Sequence, residues 1–362
     1  MHLYVHIPFC HHICPYCGFY KHTPGKLANA EFIEAILTEA KRHRDCVTDP
    51  IQTVYFGGGT PSLLSPTHLG SLCRGLSDTL DLSQVEEWTL EANPATFDQE
   101  KAQLMLELGV TRISLGTQSF DPDTLSTLGR DHSPADAIEA YETLRAAGFK
   151  NVSIDLMFSI PGQTLESWQK DLDQAATLHP NHISAYNLTY EEDTEFLTRH
   201  QSGELDTDED RDADLFYTAL DFLEENGFSH YEISNYAQPG FESKHNQAYW
   251  NGASYLGLGP GAVSTIGKER WTTLADTATY VRAAKGGLDT RTNIEILTEE
   301  DLRLERIALL LRTREGLPTG LLPTPNPVES LTQQGLVIEQ TGFTRLTRAG
   351  KALADPIAAA LV

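Results

Sequence analysis

The chain has 362 residues, enough for one large domain and one small one, and its 40% of apolar residues is ample for a buried core. Its formal charge of −24 excludes non-specific binding to nucleic acid or anionic lipid, because neutralising phosphates needs Lys and Arg in excess. No run approaches the roughly 20 apolar residues of a spanning helix, so any membrane contact would be peripheral.

The opening residues, MHLYVHIPF, lack the basic flank and long apolar core of a secretory signal, which places the protein in a reducing cytoplasm. Six short runs rich in β-branched and aromatic residues predict strands: 3–7, 53–58, 87–92, 112–117, 151–158 and 182–188. They read as nearly continuous apolar segments, the pattern of strands buried on both faces of a parallel sheet. Helical periodicity falls between them, as in 29–42, 98–108 and 133–148. In the last of these Ser133 is the expected N-cap, Pro134 opens the first turn and Gly148 stops the helix. Six β–α units in succession imply right-handed crossovers, with ligands at the C-terminal strand ends. Periodicity alone does not say whether the sheet closes.

The motifs follow that rule. Cys10 comes just after the first strand, and the glycines Gly58 and Gly59 end the second. The acidic stretches 191–196 and 206–214 read as solvated loop and helix-start segments. YLGLGPGA at 255–262 is rich in glycine but lacks the Gly-Lys-Ser/Thr of a phosphate loop. Beyond residue 295 the pattern changes. An amphipathic helix capped by Thr298, a Pro-rich loop at 316–330, a hairpin around Thr341-Gly342 and a final helix suggest a small winged-helix-like domain. Few basic residues accompany it, so packing or substrate covering is expected there rather than DNA binding.

Cys10, Cys14 and Cys17 form C-x3-C-x2-C with no fourth cysteine nearby. Thiolates ligate iron–sulfur clusters and structural zinc. Three thiolates on a four-iron cubane leave one iron open to a substrate, whereas structural zinc wants a closed shell of four. His11, His12 or His22 would complete a zinc site. A disulfide framework is disfavoured by the odd count of five cysteines. Cys46 and Cys73 fall in helical patterns and are expected to be inert, buried or semi-buried thiols.

The order LYVHIPFCHHICPYCGFY, VYFGGGTPS, LEANP, ISLGTQSF, LGRDH and IDLMFSIPGQT resembles the radical S-adenosylmethionine (SAM) superfamily. It is most similar to the branch holding oxygen-independent coproporphyrinogen III oxidase and the haem chaperone HemW. The resemblance implies an α/β fold: an incomplete (β/α)6 radical SAM barrel over 1–235, a connecting region over 236–294, and the small winged-helix-like domain over 295–362. It implies a 4Fe–4S cluster on Cys10, Cys14 and Cys17. It places SAM against Tyr4, Tyr16, Gly58, Gly59, Thr60, Glu91, Gln118, Arg130 and Asp155. The segment HNQAYW fits a haem-associated motif, with His245, Asn246, Tyr249 and Trp250 as candidate haem contacts. The partners implied are haem, a haem-accepting protein and an electron donor for the cluster, with no nucleic acid. Two departures from the oxidase pattern imply the absence of coproporphyrinogen oxidase activity. Phe19 stands where the oxidase carries a further cysteine, and Tyr4 comes almost at the chain start, where the oxidase has an N-terminal extension.

Overall fold

The computed structural model describes residues 1–25, 29–322 and 328–362. All six predicted strands form: β1 (His2–Ile7), β2 (Thr53–Gly58), β3 (Glu87–Ala92), β4 (Arg112–Gln118), β5 (Asn151–Phe158) and β6 (His182–Asn187). Each pairs in parallel with the next. Intervening helices cover the outer face, as parallel crossovers require. The expected N-cap of the helix Pro134–Ala147 is a capping box between Ser133 and Asp136, and Gly148 ends it at φ 112°.

The strands are not apolar on both faces. Leu3, Val5 and Ile7 of β1, Val54 and Phe56 of β2, and Ile113 and Leu115 of β4 join the apolar core against the helices. The alternate positions are polar and buried: His2 and His6, Thr53, Glu87 and Thr89, Arg112 and Ser114, Ser153 and Asp155, His182 and Ser184. Successive side chains of a strand point to opposite faces. The sheet therefore separates an apolar layer beneath the helices from a polar lumen. The expectation of continuous apolar strands failed because Tyr, Met and Thr at lumen positions read as apolar fillers.

Six further strands widen the sheet: β7 (Ser229–Glu232), β8 (Asn235–Ala237), β9 (Tyr255–Leu258), β10 (Val263–Ile266), β11 (Glu269–Thr273) and β12 (Arg291–Ile296). The order is β12-β11-β10-β9-β1-β2-β3-β4-β5-β6-β8-β7, so the two ends do not pair and the barrel is incomplete. β9 is parallel to β1, while β10–β12 and β8–β7 run antiparallel to their neighbours. The region expected at 236–294 to be a connector thus supplies β9, β10 and β11 and most of β8 and β12 of the main sheet.

The C-terminal part carries its own apolar core, including Ile307, Leu311, Leu317, Val337 and Ile357. Its small sheet joins β13 (Leu317–Pro318), β14 (Val337–Gln340) and β15 (Phe343–Leu346) in the order β13-β15-β14. The predicted hairpin turn is present, with Thr341 at φ 53° and Gly342 at φ 81°. The expected loop at 316–330 holds β13 and the 3-10 turn Thr319–Leu321, and the helix Val328–Gln333 starts inside it; the part at 323–327 lies outside the described residues. This domain is tied to the barrel by the Arg348–Asp221 ion pair at 2.5 Å, with the Arg348 guanidinium 4.2 Å from the Tyr217 ring centroid.

Candidate functional site at the C-terminal end of the barrel

The loop after β1 carries Cys10, Cys14 and Cys17, all free and partly exposed. Backbone bonds fix its two limbs to each other. The Cys10 amide donates to the His22 carbonyl at 3.1 Å, and the His22 amide donates to the Pro8 carbonyl at 2.8 Å. Inside the loop the Cys17 amide donates to the Cys14 carbonyl at 3.2 Å, and the Lys21 ammonium binds the Cys17 carbonyl. His6 holds the far limb from the lumen. Its Nε2 donates to the Tyr20 carbonyl at 2.7 Å, and its Nδ1 then accepts from the Tyr4 hydroxyl at 3.0 Å.

The glycine run ending β2 packs under this loop. A Cβ on Gly58, which has φ 109°, would lie 2.5 Å from the His6 ring, and one on Gly59 would lie 2.7 Å from the Pro8 carbonyl carbon. Only glycine lets the loop cross so closely. The amides here are already committed: Gly58 to Glu91 Oε2 at 3.1 Å, Gly59 to the Ile7 carbonyl and Thr60 to the Phe9 carbonyl, both at 2.8 Å.

Two thiols have side-chain donors. The Thr60 hydroxyl donates to Cys10 Sγ at 3.7 Å, and Arg130 Nη1 donates to Cys14 Sγ at 3.7 Å. Arg130 Nη2 also donates to Asn93 Oδ1 at 2.8 Å and to the Gly116 carbonyl at 2.9 Å. Asn93 in turn donates to Thr60 Oγ1 at 3.0 Å. Asn93 was not singled out in the sequence, although LEANP contains it two positions after Glu91. The period-2 rule would have placed both on the lumen face.

Glu91 accepts from the Tyr55 hydroxyl at 2.8 Å. Burial pushes its carboxyl up to about 7, with the Asp155 charge adding to the rise and the Tyr55 bond opposing it. Asp155 lies deeper and accepts from Ser114 and Ser184 at 2.7 Å and from Ser153 at 2.8 Å. Gln118, at φ 68°, sits where the β4–β5 register shifts. Tyr16 turns its hydroxyl to the Cys14 thiol, and burial raises its phenol far above the ordinary range. Burial also pushes the Cys10 and Cys17 thiols up. Metal uptake would therefore release protons from the loop.

The three cysteines fit an iron–sulfur cluster better than a zinc ion. Both ring nitrogens of His22 are engaged, with the Thr23 carbonyl and the Thr277 hydroxyl at 2.8 Å each, while His11 and His12 are exposed. Cys73 is buried and its thiol is pushed up to about 12 by burial. Cys46, expected to be at least semi-buried within a helix, instead ends an exposed 3-10 turn at Arg44–Cys46.

The HNQAYW segment lies at the other end of the barrel. It forms the short helix Lys244–Trp250, capped by Ser243. Glu87, the first residue of β3, accepts from the Lys244 amide at 3.1 Å and the His245 amide at 3.0 Å. His245 is 1% exposed. Its Nδ1 is hydrogen-bonded to Thr53 Oγ1 at 2.7 Å, and its ring centroid lies 4.9 Å from Tyr55 and 4.7 Å from Tyr249. Burial pushes its imidazole down to about 3. Among the described residues its Nε2 has no hydrogen-bond partner. Asn246, Tyr249 and Trp250 are half-buried, and the Trp250 indole reaches Glu232. The SAM candidates and the cysteines are thus brought together at one end, and the haem candidates are placed at the opposite one.

A polar lumen beneath a three-cysteine loop on an incomplete parallel barrel defines a class of protein, and the model of the radical SAM superfamily matches residues 4–175. Heme chaperone HemW of Lactococcus lactis is 38% identical over 87% of this chain and 82% of its own length. Heme chaperone HemW of Bacillus subtilis is 34% identical over 98% of this chain and 97% of its own. The chain belongs to the radical SAM superfamily, within the family of proteins named heme chaperone HemW. The solved coproporphyrinogen III oxidase (HemN) from Escherichia coli covers 99% of this chain with a TM-score of 0.84 at 21% identity, which shows the shared fold. Among the described residues no helix is long and apolar enough to cross a membrane.

Proposed function

We propose that the protein binds haem and passes it to a haem-accepting protein, with a 4Fe–4S cluster and SAM at the C-terminal end of the barrel. The observation that carries this reading is the kinship with proteins named heme chaperone HemW along almost the whole chain. The three free thiols at a polar mouth support the cofactor half of it. When bound, the cluster supplies an electron and an open iron. The protein's own residues do the rest. Cys10, Cys14 and Cys17 hold the cluster, Glu91 and Asp155 offer carboxylates toward the SAM ammonium or ribose, and Arg130 offers a guanidinium toward its carboxylate. Tyr4, Tyr16, Gly58, Gly59, Thr60 and Gln118 complete the cradle.

Haem contact at 245–250 would begin on the half-buried Asn246, Tyr249 and Trp250. Iron ligation by His245 requires the helix to leave the barrel, because the ring is enclosed. The test is anaerobic reconstitution with haem and coproporphyrinogen III offered in parallel, with and without SAM. A Soret band that transfers to an apo-haem protein supports the reading. Multiple-turnover formation of protoporphyrinogen would replace it with the oxidase reaction.

A further inference from the structure

We infer that Thr60, Asn93 and Arg130 form a hydrogen-bond bridge that raises the reduction potential of the cluster, a role separate from holding it. The inference rests on the proposed ligation by Cys10, Cys14 and Cys17. One end of the bridge is the Thr60 hydroxyl on Cys10 Sγ, and the other is Arg130 Nη1 on Cys14 Sγ, each at 3.7 Å. Asn93 joins them, donating to Thr60 at 3.0 Å and accepting from Arg130 at 2.8 Å. Asn93 touches neither thiol, so its amide serves to aim the two donors. The fold makes room for it: a Cβ on Gly116 would stand 2.5 Å from Asn93 Oδ1. Arg130 is also anchored on the Gly116 carbonyl, so the guanidinium is held in place.

The physical consequence follows from charge. Reduction takes one electron from a low-potential donor and adds one negative charge to the cluster and its thiolates, with no bond broken. Donors aimed at the thiolate sulfurs stabilise the more negative state, and hydrogen bonding to sulfur is a known determinant of cluster potential. The chain as a whole carries −24, a field that opposes reduction. A local cation and hydroxyl on two of the three sulfurs offset that field where it acts.

The test is a potentiometric titration of the reconstituted protein without SAM, followed by the EPR signal of the reduced cluster, with iron counted in every sample. At a fixed potential, Arg130→Gln is expected to lower the reduced-to-oxidised ratio about tenfold, ~59 mV for a one-electron couple. Thr60→Val should lower it about threefold, and Thr60→Ser should restore the wild-type ratio. Asn93→Ala should lower it as well, although it contacts no thiol. Unchanged ratios in Arg130→Gln, Thr60→Val and Asn93→Ala at full iron content would overturn the inference. Loss of iron in the bridge variants would overturn it too, in favour of a cluster-retaining role. If the wild-type protein takes up no iron, the cofactor reading itself fails.

Discussion

The two ends of the barrel are built from the same polar residue types and treat them in opposite ways. At the N-terminal end, Thr53 holds the enclosed His245 ring by Nδ1 and Glu87 accepts from the amides of its helix, while Nε2 is left without a hydrogen bond among the described residues. At the C-terminal end, three thiols stand partly exposed, with donors converging on them and Gln118 held at positive φ. Hydrogen-bonded buried groups hold one arrangement in place, and the groups that remain accessible are the thiols at the mouth. The two ends therefore make different predictions under mutation.

Removing the thiols is the most drastic way to test this division. The triple change of Cys10, Cys14 and Cys17 to Ala should abolish bound iron and the broad visible absorption, while circular dichroism shows an intact fold. Retention of iron would move the cluster elsewhere. Next in size are the SAM contacts. Glu91→Ala and Arg130→Ala should each weaken SAM roughly tenfold to a hundredfold by calorimetry, because a charge-assisted contact contributes about 1.5–3 kcal/mol. Unchanged affinity in both would empty the mouth of its assigned role.

The closed end should respond in the opposite currency. His245→Ala removes an enclosed ring and a buried hydrogen bond, and should cost about 2–4 kcal/mol in denaturant unfolding. Haem binding through Tyr249 and Trp250 should survive it. If stability is unchanged and haem binding is lost, His245 is a ligand and the helix opens in solution.

The smallest effect is a pH dependence. Glu91 sits at about 7, above its unfolded value of 4.5, because burial disfavours the carboxylate. The stability it supports is complete below pH 4.5 and is lost as pH rises through 7. Glu91→Gln should therefore gain on the order of 1 kcal/mol relative to wild type between pH 5 and pH 8. SAM affinity should rise over the same interval in the wild type, as the carboxylate forms, and stay flatter in Glu91→Gln. Identical pH profiles would remove Glu91 from the ammonium contact.

Much of this was legible in the sequence, for local reasons. The strand bounds from Thr53 to Phe158 and the Ser133 and Thr298 capping boxes are encoded within a few residues of where they act. The cysteine spacing placed the three thiols on one loop. The lumen was harder. Runs such as VYF and IDLMF read as continuous apolar segments, so the alternation of outward Val54 and Phe56 with inward Thr53 and Tyr55 was not evident. β9–β12 escaped notice because strands of four to six residues owe their form to a partner far along the chain. The burial of His245 is likewise tertiary: the hexapeptide says nothing about the Glu87 carboxylate that draws its helix into the barrel.

The parallel pairing of β9 with β1 has a consequence for how the protein is made. β1 leaves the ribosome some 250 residues ahead of its second neighbour, Tyr255–Leu258. At about 5–20 residues per second, the free edge of β1 waits for roughly 13–50 s before it is covered. The cysteine loop hangs from the end of that strand, and its far limb is pinned by Tyr20 and His22 to Thr277, later still in the chain. The cysteine loop is therefore not held in its final form until residue 277 has been made, and factors that shield nascent chains have an unpaired strand edge to guard until β9 arrives.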